Sequence, residues 1–429
     1  MIPRLLEQIH RAGARGDLVA KQDETLVLEL AAGALVGSSL LRERGVSVRL
    51  FRDGRAGVAG TTDDDAAAVV ASALDASEQG PPAEVELPEA RPTPRVLTRV
   101  PRAAAVAADE LRFLGQMVAD RLAADGRRVH VAVERGVGGV RVANSAGLDA
   151  GYETSLVAIL AEVTTREGAI LRGHVAGADL PEGEAIERLV DGLRRRLSWS
   201  ATEAPAPRGH LPVCFLPGAA ASLLAPARTA LLGRSALLGL SPFVDKIGER
   251  VFDPGLTLID DPTLDARPGS RPLDDEGVPS ARTVVVESGV VRGFLYDLET
   301  ATRAGTRSTG HARRTTFGKP LTAWSNVVVE PGPHAFEVLL GMLEEGLIVE
   351  SLEDDGVVGP AGGFTLPVAL GWRVEKGEVV GRVKGAVIAG NAYELLGRLR
   401  GIGRDVEWRG SQCLPAIVAE GVAVVSSTA

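Results

Sequence analysis

The segment Arg271–Asp297, RPLDDEGVPSARTVVVESGVVRGFLYD, decides how the chain is read. Its second part, Thr283–Tyr296, places apolar runs on either side of Ser288-Gly289, a pair suited to a tight turn, so an antiparallel hairpin is predicted. Its first part sets Asp274, Asp275 and Glu276 against a Gly-Val-Pro turn. Adjacent carboxylates can hold a hard cation or supply a general acid and base. The same residues also suit a turn, where Asp accepts backbone N–H bonds and glycine supplies positive φ. Arg271 and Arg282 flank the acids, so charge pairing is the simpler account and the turn is the favoured reading.

Working outward, the C-terminal half repeats this β pattern. LPVCFLP (211–217) reads as a strand, and GWRVEKGEVVGRVKGAVIAG (371–390) as strands pivoting at Lys376-Gly377. A nearly uncharged helix is predicted over 218–239 and a short one in NAYELLGRL (391–399). In the N-terminal half, ETLVLEL (24–30), VSVRLFRDG (46–54), VHVAVERG (129–136), GVRVANSAG (139–147), YETSLVAILAEVTTREG (152–168) and AILRGHVAG (169–177) read as strands. Helices are predicted at the start of the chain through Leu5, Leu6 and Ile9, over 63–76 behind three acids, over 103–124, and near 183–198. The Pro-rich stretch near 79–100 predicts an extended connector, and SATEAPAPRG (200–209) an interdomain linker. The predicted class is α+β: residues 1–205 form an N-terminal domain of small sheets and helices, and 206–429 a β-rich domain with a large, curved, mostly antiparallel sheet.

Composition narrows the function. The chain of 429 residues is 45% hydrophobic and 24% charged, as a soluble globular protein is, and carries a formal net charge of −9. That charge, with no long basic run, argues against nucleic acid or an acidic membrane surface as partner. No apolar segment reaches about 18 residues and no signal sequence is read at the start, so a cytoplasmic location is expected. Two cysteines, Cys214 and Cys413, make neither a disulfide framework nor a CxxC zinc site. No two of the six histidines stand three to five residues apart, and neither a G-x-G-x-x-G nor a G-x-S-x-G motif is present. Cys413, in GSQCLPAIV, is a candidate nucleophile or ligand, but a lone cysteine before an apolar run more often fills a core. His311, in STGHARR, offers donors to a carboxylate or peptide group; a solvated loop is the alternative.

The run SPFVDKIGERVFDPGLTLIDDPTLDARPGSRPLDDEGVPSARTVVVESGVVRGFLYDLETATRAG (241–305), with STGHARR (308–314), GWRVEKGEVVGRVKGAVIAGNAYELL (371–396) and VRVANSAG (140–147), strongly resembles the TldD/PmbA family, once called modulators of DNA gyrase. The resemblance implies two branches. TldD-type members carry HExxxH on a helix just before the segment that here reads SPFVDKIGERV, and a cysteine near the C-terminus. PmbA-type members, also called TldE, lack the histidines and partner a TldD-type chain in a heterodimeric zinc metallopeptidase. Here the histidines would fall near Leu224 and Thr229, which cannot hold zinc. Cys413 lies roughly where the TldD branch keeps its cysteine, in different surroundings.

The resemblance therefore implies a TldE-like, non-catalytic subunit with no cofactor of its own, zinc being expected on the partner. It would help enclose a cavity for unfolded or precursor peptides. His311, Arg313, Asp274, Asp275, Glu276 and Tyr296 are the candidates for the substrate groove, the triplet more as turn or scaffold. A non-proteolytic homodimer that binds peptides or a small ligand is the alternative. An unconventional metal site of Cys413, His311 and the acid cluster is a third.

Overall fold

Alternating strand patterns dominate the first half, and they assemble as one sheet. The computed structural model describes residues 1–123, 127–353 and 361–426. Strands β1 (Arg15–Ala31), β2 (Ala34–Arg52), β3 (Arg55–Thr61), β4 (Arg128–Asn144), β5 (Asp149–Thr164) and β6 (Ile170–Gly177) pair in the order β3-β2-β1-β4-β5-β6. Every pairing is antiparallel, so the expected small sheets are joined into a single one of six strands.

Helices cover one face. Apolar residues at Ile2, Leu5 and Ile9 seat α1 (Ile2–Arg11), and α2 (Ala66–Glu78) starts where Asp65 accepts from the N–H groups of Ala67 and Ala68. The helix predicted over 103–124 is two pieces, α3 (Pro101–Ala104) and α4 (Ala108–Leu122); its last predicted residue lies outside the described residues. The Pro-rich connector is extended, and it buries Val85 and Leu87 against Phe51.

Helix α5 (Gly183–Trp199) leads into the second half. The predicted linker supplies strand β7 (Glu203–Ala204), which pairs with β17 (Glu378–Val383). The twelve-stranded sheet further contains β8 (Gly209–Phe215), β9 (Leu258–Asp260), β10 (Thr283–Glu287), β11 (Val290–Val291), β14 (Val327–Val329), β15 (Glu345–Leu352), β16 (Gly363–Glu375), β18 (Ala386–Asn391), β19 (Leu399–Arg409) and β20 (Gln412–Ser426). A separate two-stranded ladder joins β12 (Ala312–Arg313) to β13 (Leu321–Thr322). Most pairs are antiparallel, and β20, β8, β15, β16 and β18 pair in a closed ring. The two turns predicted from sequence are present: Ser288-Gly289 has φ of 47° and 78°, and Lys376-Gly377 has 53° and 77°.

The helix predicted over 218–239 breaks into α6 (Pro217–Ala230) and α7 (Gly233–Leu237). The cause is long-range: Leu231 and Gly233 exchange backbone hydrogen bonds with Leu295, which draws Leu231–Leu232 out of the helix. Glycine is required at 233, because a Cβ there would stand 2.2 Å from the Tyr296 ring.

One apolar core crosses between the halves. It joins Val131, Ile159 and Leu193 to Cys214, Ile348 and Trp372, and the buried Trp372 indole donates to Ser200 Oγ at 3.0 Å. Among the described residues no helix is long and apolar enough to cross a membrane.

Candidate functional site

The acidic triplet is buried, and it does make a turn. Asp274 Oδ1 accepts from the N–H groups of Glu276 and Val278, both at 2.9 Å, and Gly277 takes φ of 87°. Neither flanking arginine bonds directly to it, although the Arg271 charge favours ionised Asp274 and Asp275. Arg271 donates to the carbonyls of Gly310 and Ala312 and to Ser325 Oγ, and Arg282 pairs with Glu330.

The triplet's remaining oxygens tie three separate segments together. Asp274 Oδ2 accepts from the Ala312 N–H (2.9 Å) and Asp275 Oδ2 from the Arg314 N–H (2.7 Å), so the acids zip onto the STGHARR loop. Asp275 also takes Lys21 Nζ at 2.8 Å. Glu276 takes Arg49 Nη2 and the Leu298 N–H, each at 2.7 Å; Leu298 opens helix α8 (Leu298–Arg303).

Lys21 and Arg49 come from β1 and β2, so this knot fastens the N-terminal sheet to the second half. Asp17 stands directly opposite Arg49 in the β1–β2 ladder and binds both the Arg49 and Arg314 guanidiniums. Glycines let the same loop approach the sheet: a Cβ at Gly60 would meet Phe317 at 2.6 Å, and Ser47 Oγ donates to the Gly318 carbonyl.

Burial would raise the Asp17 and Asp275 carboxyls, but Arg314 and Arg49 at the first and Lys21 at the second outweigh it and hold both below the usual range. Burial pushes Glu276 up to about 8, with Arg49 pulling against it and Asp274, Asp297 and Asp17 adding to it. The signs are opposite. The contribution of Asp17 and Asp275 is complete above the unfolded carboxylate value, about 4, and is lost as pH falls through their depressed values. That of Glu276 is complete below its unfolded value and is lost as pH rises toward about 8. Glu276→Gln should therefore flatten the decline of melting temperature between about pH 5 and 8. An unchanged slope in thermal scans across that range would contradict the assignment.

His311 is fully buried, with Nε2 at 2.9 Å from Asp260 Oδ2 and Nδ1 at 2.8 Å from Thr309 Oγ1. This corrects the expectation that its ring would meet a substrate carbonyl: both nitrogens are engaged inside the fold. Asp260 is held in turn by the Ser325 N–H at 2.6 Å. Arg313, two residues on, is exposed and acts electrostatically on Tyr152 of the N-terminal sheet, whose hydroxyl burial pushes up to about 12. Tyr296 is half-buried, its ring edge-on to Phe294 and pressed against Gly233. Asp274, Asp275 and Glu276 are likewise buried, with the hydrogen bonds described above made inside the fold.

Cys413 is buried on β20 opposite Trp408, and burial raises its thiol against the pull of Arg267. Leu224 lies in the core and the Thr229 hydroxyl donates back to the Ala225 carbonyl. Among the described residues no three His, Cys, Asp or Glu side chains are placed to hold a metal ion. Cys413, His311 and the acid cluster are thus not assembled into a zinc centre.

Sequence reasoning missed Asp17, Lys21, Arg49, Asp260 and Arg314. The only local signal was charge inside strands that otherwise read as apolar, as at Arg49 within VSVRLFR.

Residues 208–426 match the C-terminal domain of PmbA/TldA metallopeptidases and residues 16–77 match their domain 1. A metalloprotease of Methanothermobacter thermautotrophicus is 30% identical over 263 residues, covering 59% of this chain and 57% of that protein. A metalloprotease of Methanocaldococcus jannaschii is 33% identical over 173 residues, 40% of this chain and 38% of that protein. The chain thus spans roughly half or less of the length of these relatives. The crystal structure of TldE from Thermococcus kodakarensis superposes with a TM-score of 0.87 at 24% identity, covering 99% of this chain and 100% of that one, which bears on the fold alone.

Proposed function

This chain belongs to the TldD/PmbA family of metallopeptidase-like proteins, and from that premise we propose that it is a TldE-like subunit, non-catalytic by itself, of a heterodimeric zinc peptidase. The observation that carries the reading is helix α6. It stands where the resemblance puts the HExxxH helix, yet it contains no histidine and no glutamate, with Leu224 in the core and Thr229 bonded to its own helix. The chain would wall the substrate cavity, and a cytoplasmic TldD-like partner would hold the zinc that polarises the scissile carbonyl and activates water. The substrates would be unfolded or precursor peptides, held largely through their backbone at an exposed strand edge.

Metal analysis and copurification test this. Protein isolated from its native host is expected to bring an HExxxH homologue with it, while the separated chain carries far less than one zinc. Cys413→Ala should change neither zinc content nor the activity of the reconstituted pair. A stoichiometric zinc on the separated chain, lost with Cys413→Ala, would overturn the proposal.

A further inference from the structure

Arg228 sits in the last turn of α6 and lacks what the other well-buried arginines have. Arg49, Arg196, Arg314 and Arg382 each meet a carboxylate, and Arg271 has three oxygen acceptors. Arg228 is largely buried, and its Nη1 donates only to the amide oxygen of Gln412. Its Nε is buried without an acceptor, and among the described residues no carboxylate lies within ion-pair reach. Asp260 acts on it electrostatically but is committed to His311 and the Ser325 N–H. Trp324 flanks the site, its indole N–H donating to the Arg228 carbonyl at 3.0 Å.

A guanidinium does not give up its proton, so a largely buried one with a single neutral acceptor leaves a site short of one negative charge. Its planar fork matches a carboxylate. The nearby Asp260 makes a monoanion a better fit than a dianion. We propose that Arg228 receives the C-terminal carboxylate of a bound peptide. The proposal rests on the peptide-binding reading above and adds which end of the peptide this subunit holds.

Calorimetric titration of the full chain with three probes tests it: acetyl-tetraalanine as the free acid, its C-terminal amide, and that amide with one alanine replaced by glutamate. The free acid should bind about 10- to 100-fold tighter than the plain amide, the range of a charge-assisted hydrogen bond. R228Q should erase that difference without altering amide binding, and R228K should keep part of it. If R228Q does not fold, R228K and the acid-to-amide ratio on the natural chain still decide. Glutamate-amide binding as tight as the free acid overturns the terminal assignment. Equal affinity for acid and amide overturns the carboxylate site while peptide binding stands, and absence of binding by all three overturns both.

Discussion

Mixed with a homologue that carries HExxxH, the chain is expected to raise cleavage of an unfolded protein by roughly two orders of magnitude or more over either component alone, and a chelator should abolish the gain. The reason lies in the division of groups: this chain has strands, an exposed Arg313 and the guanidinium of Arg228, but among the described residues no three His, Cys, Asp or Glu side chains are placed to hold a metal. Arg313→Ala in this chain should lower turnover by the mixture without removing zinc from the partner. Chelator-sensitive cleavage by this chain alone, free of any copurified homologue, would refute the assignment.

Replacing Arg49 by Met should cost about 3–5 kcal/mol, the range found when one partner of a buried ion pair is removed. Arg49 touches both Asp17 and Glu276 inside the fold, so its loss takes an ion-pair partner from each, leaving Asp17 to Arg314 and Glu276 to the Leu298 N–H. Against a usual total of about 5–15 kcal/mol, this is a large fraction, read as a lowered midpoint in urea unfolding. A loss below about 1 kcal/mol would show that the knot is not a principal fastening between the halves.

Local features were legible in the sequence. The turns at Ser288-Gly289 and Lys376-Gly377 could be read because two adjacent residues determine them. The acid turn was legible for the same reason, since Asp274 bonds N–H groups only two and four residues ahead. Its partners were not: Lys21 is 254 residues from Asp275 and Arg49 is 227 from Glu276. The break between α6 and α7 was hidden likewise, because Leu295 causes it. In STGHARR the ladder sends Arg313 outward and leaves Arg314 buried against Asp17, an alternation fixed only once β12 has a partner.

The core that joins Val131 and Leu193 to Ile348 and Trp372 bears on how such a chain can change through descent. A gene exchange at the Ala-Pro stretch near 205 would look harmless from sequence, since it falls between two recognisable regions. It would nevertheless separate α5 and β7 from the surfaces they complete and mix two unmatched sets of interior shapes. The two halves are therefore expected to be inherited together, with compensating substitutions across the seam, rather than shuffled between relatives as independent modules.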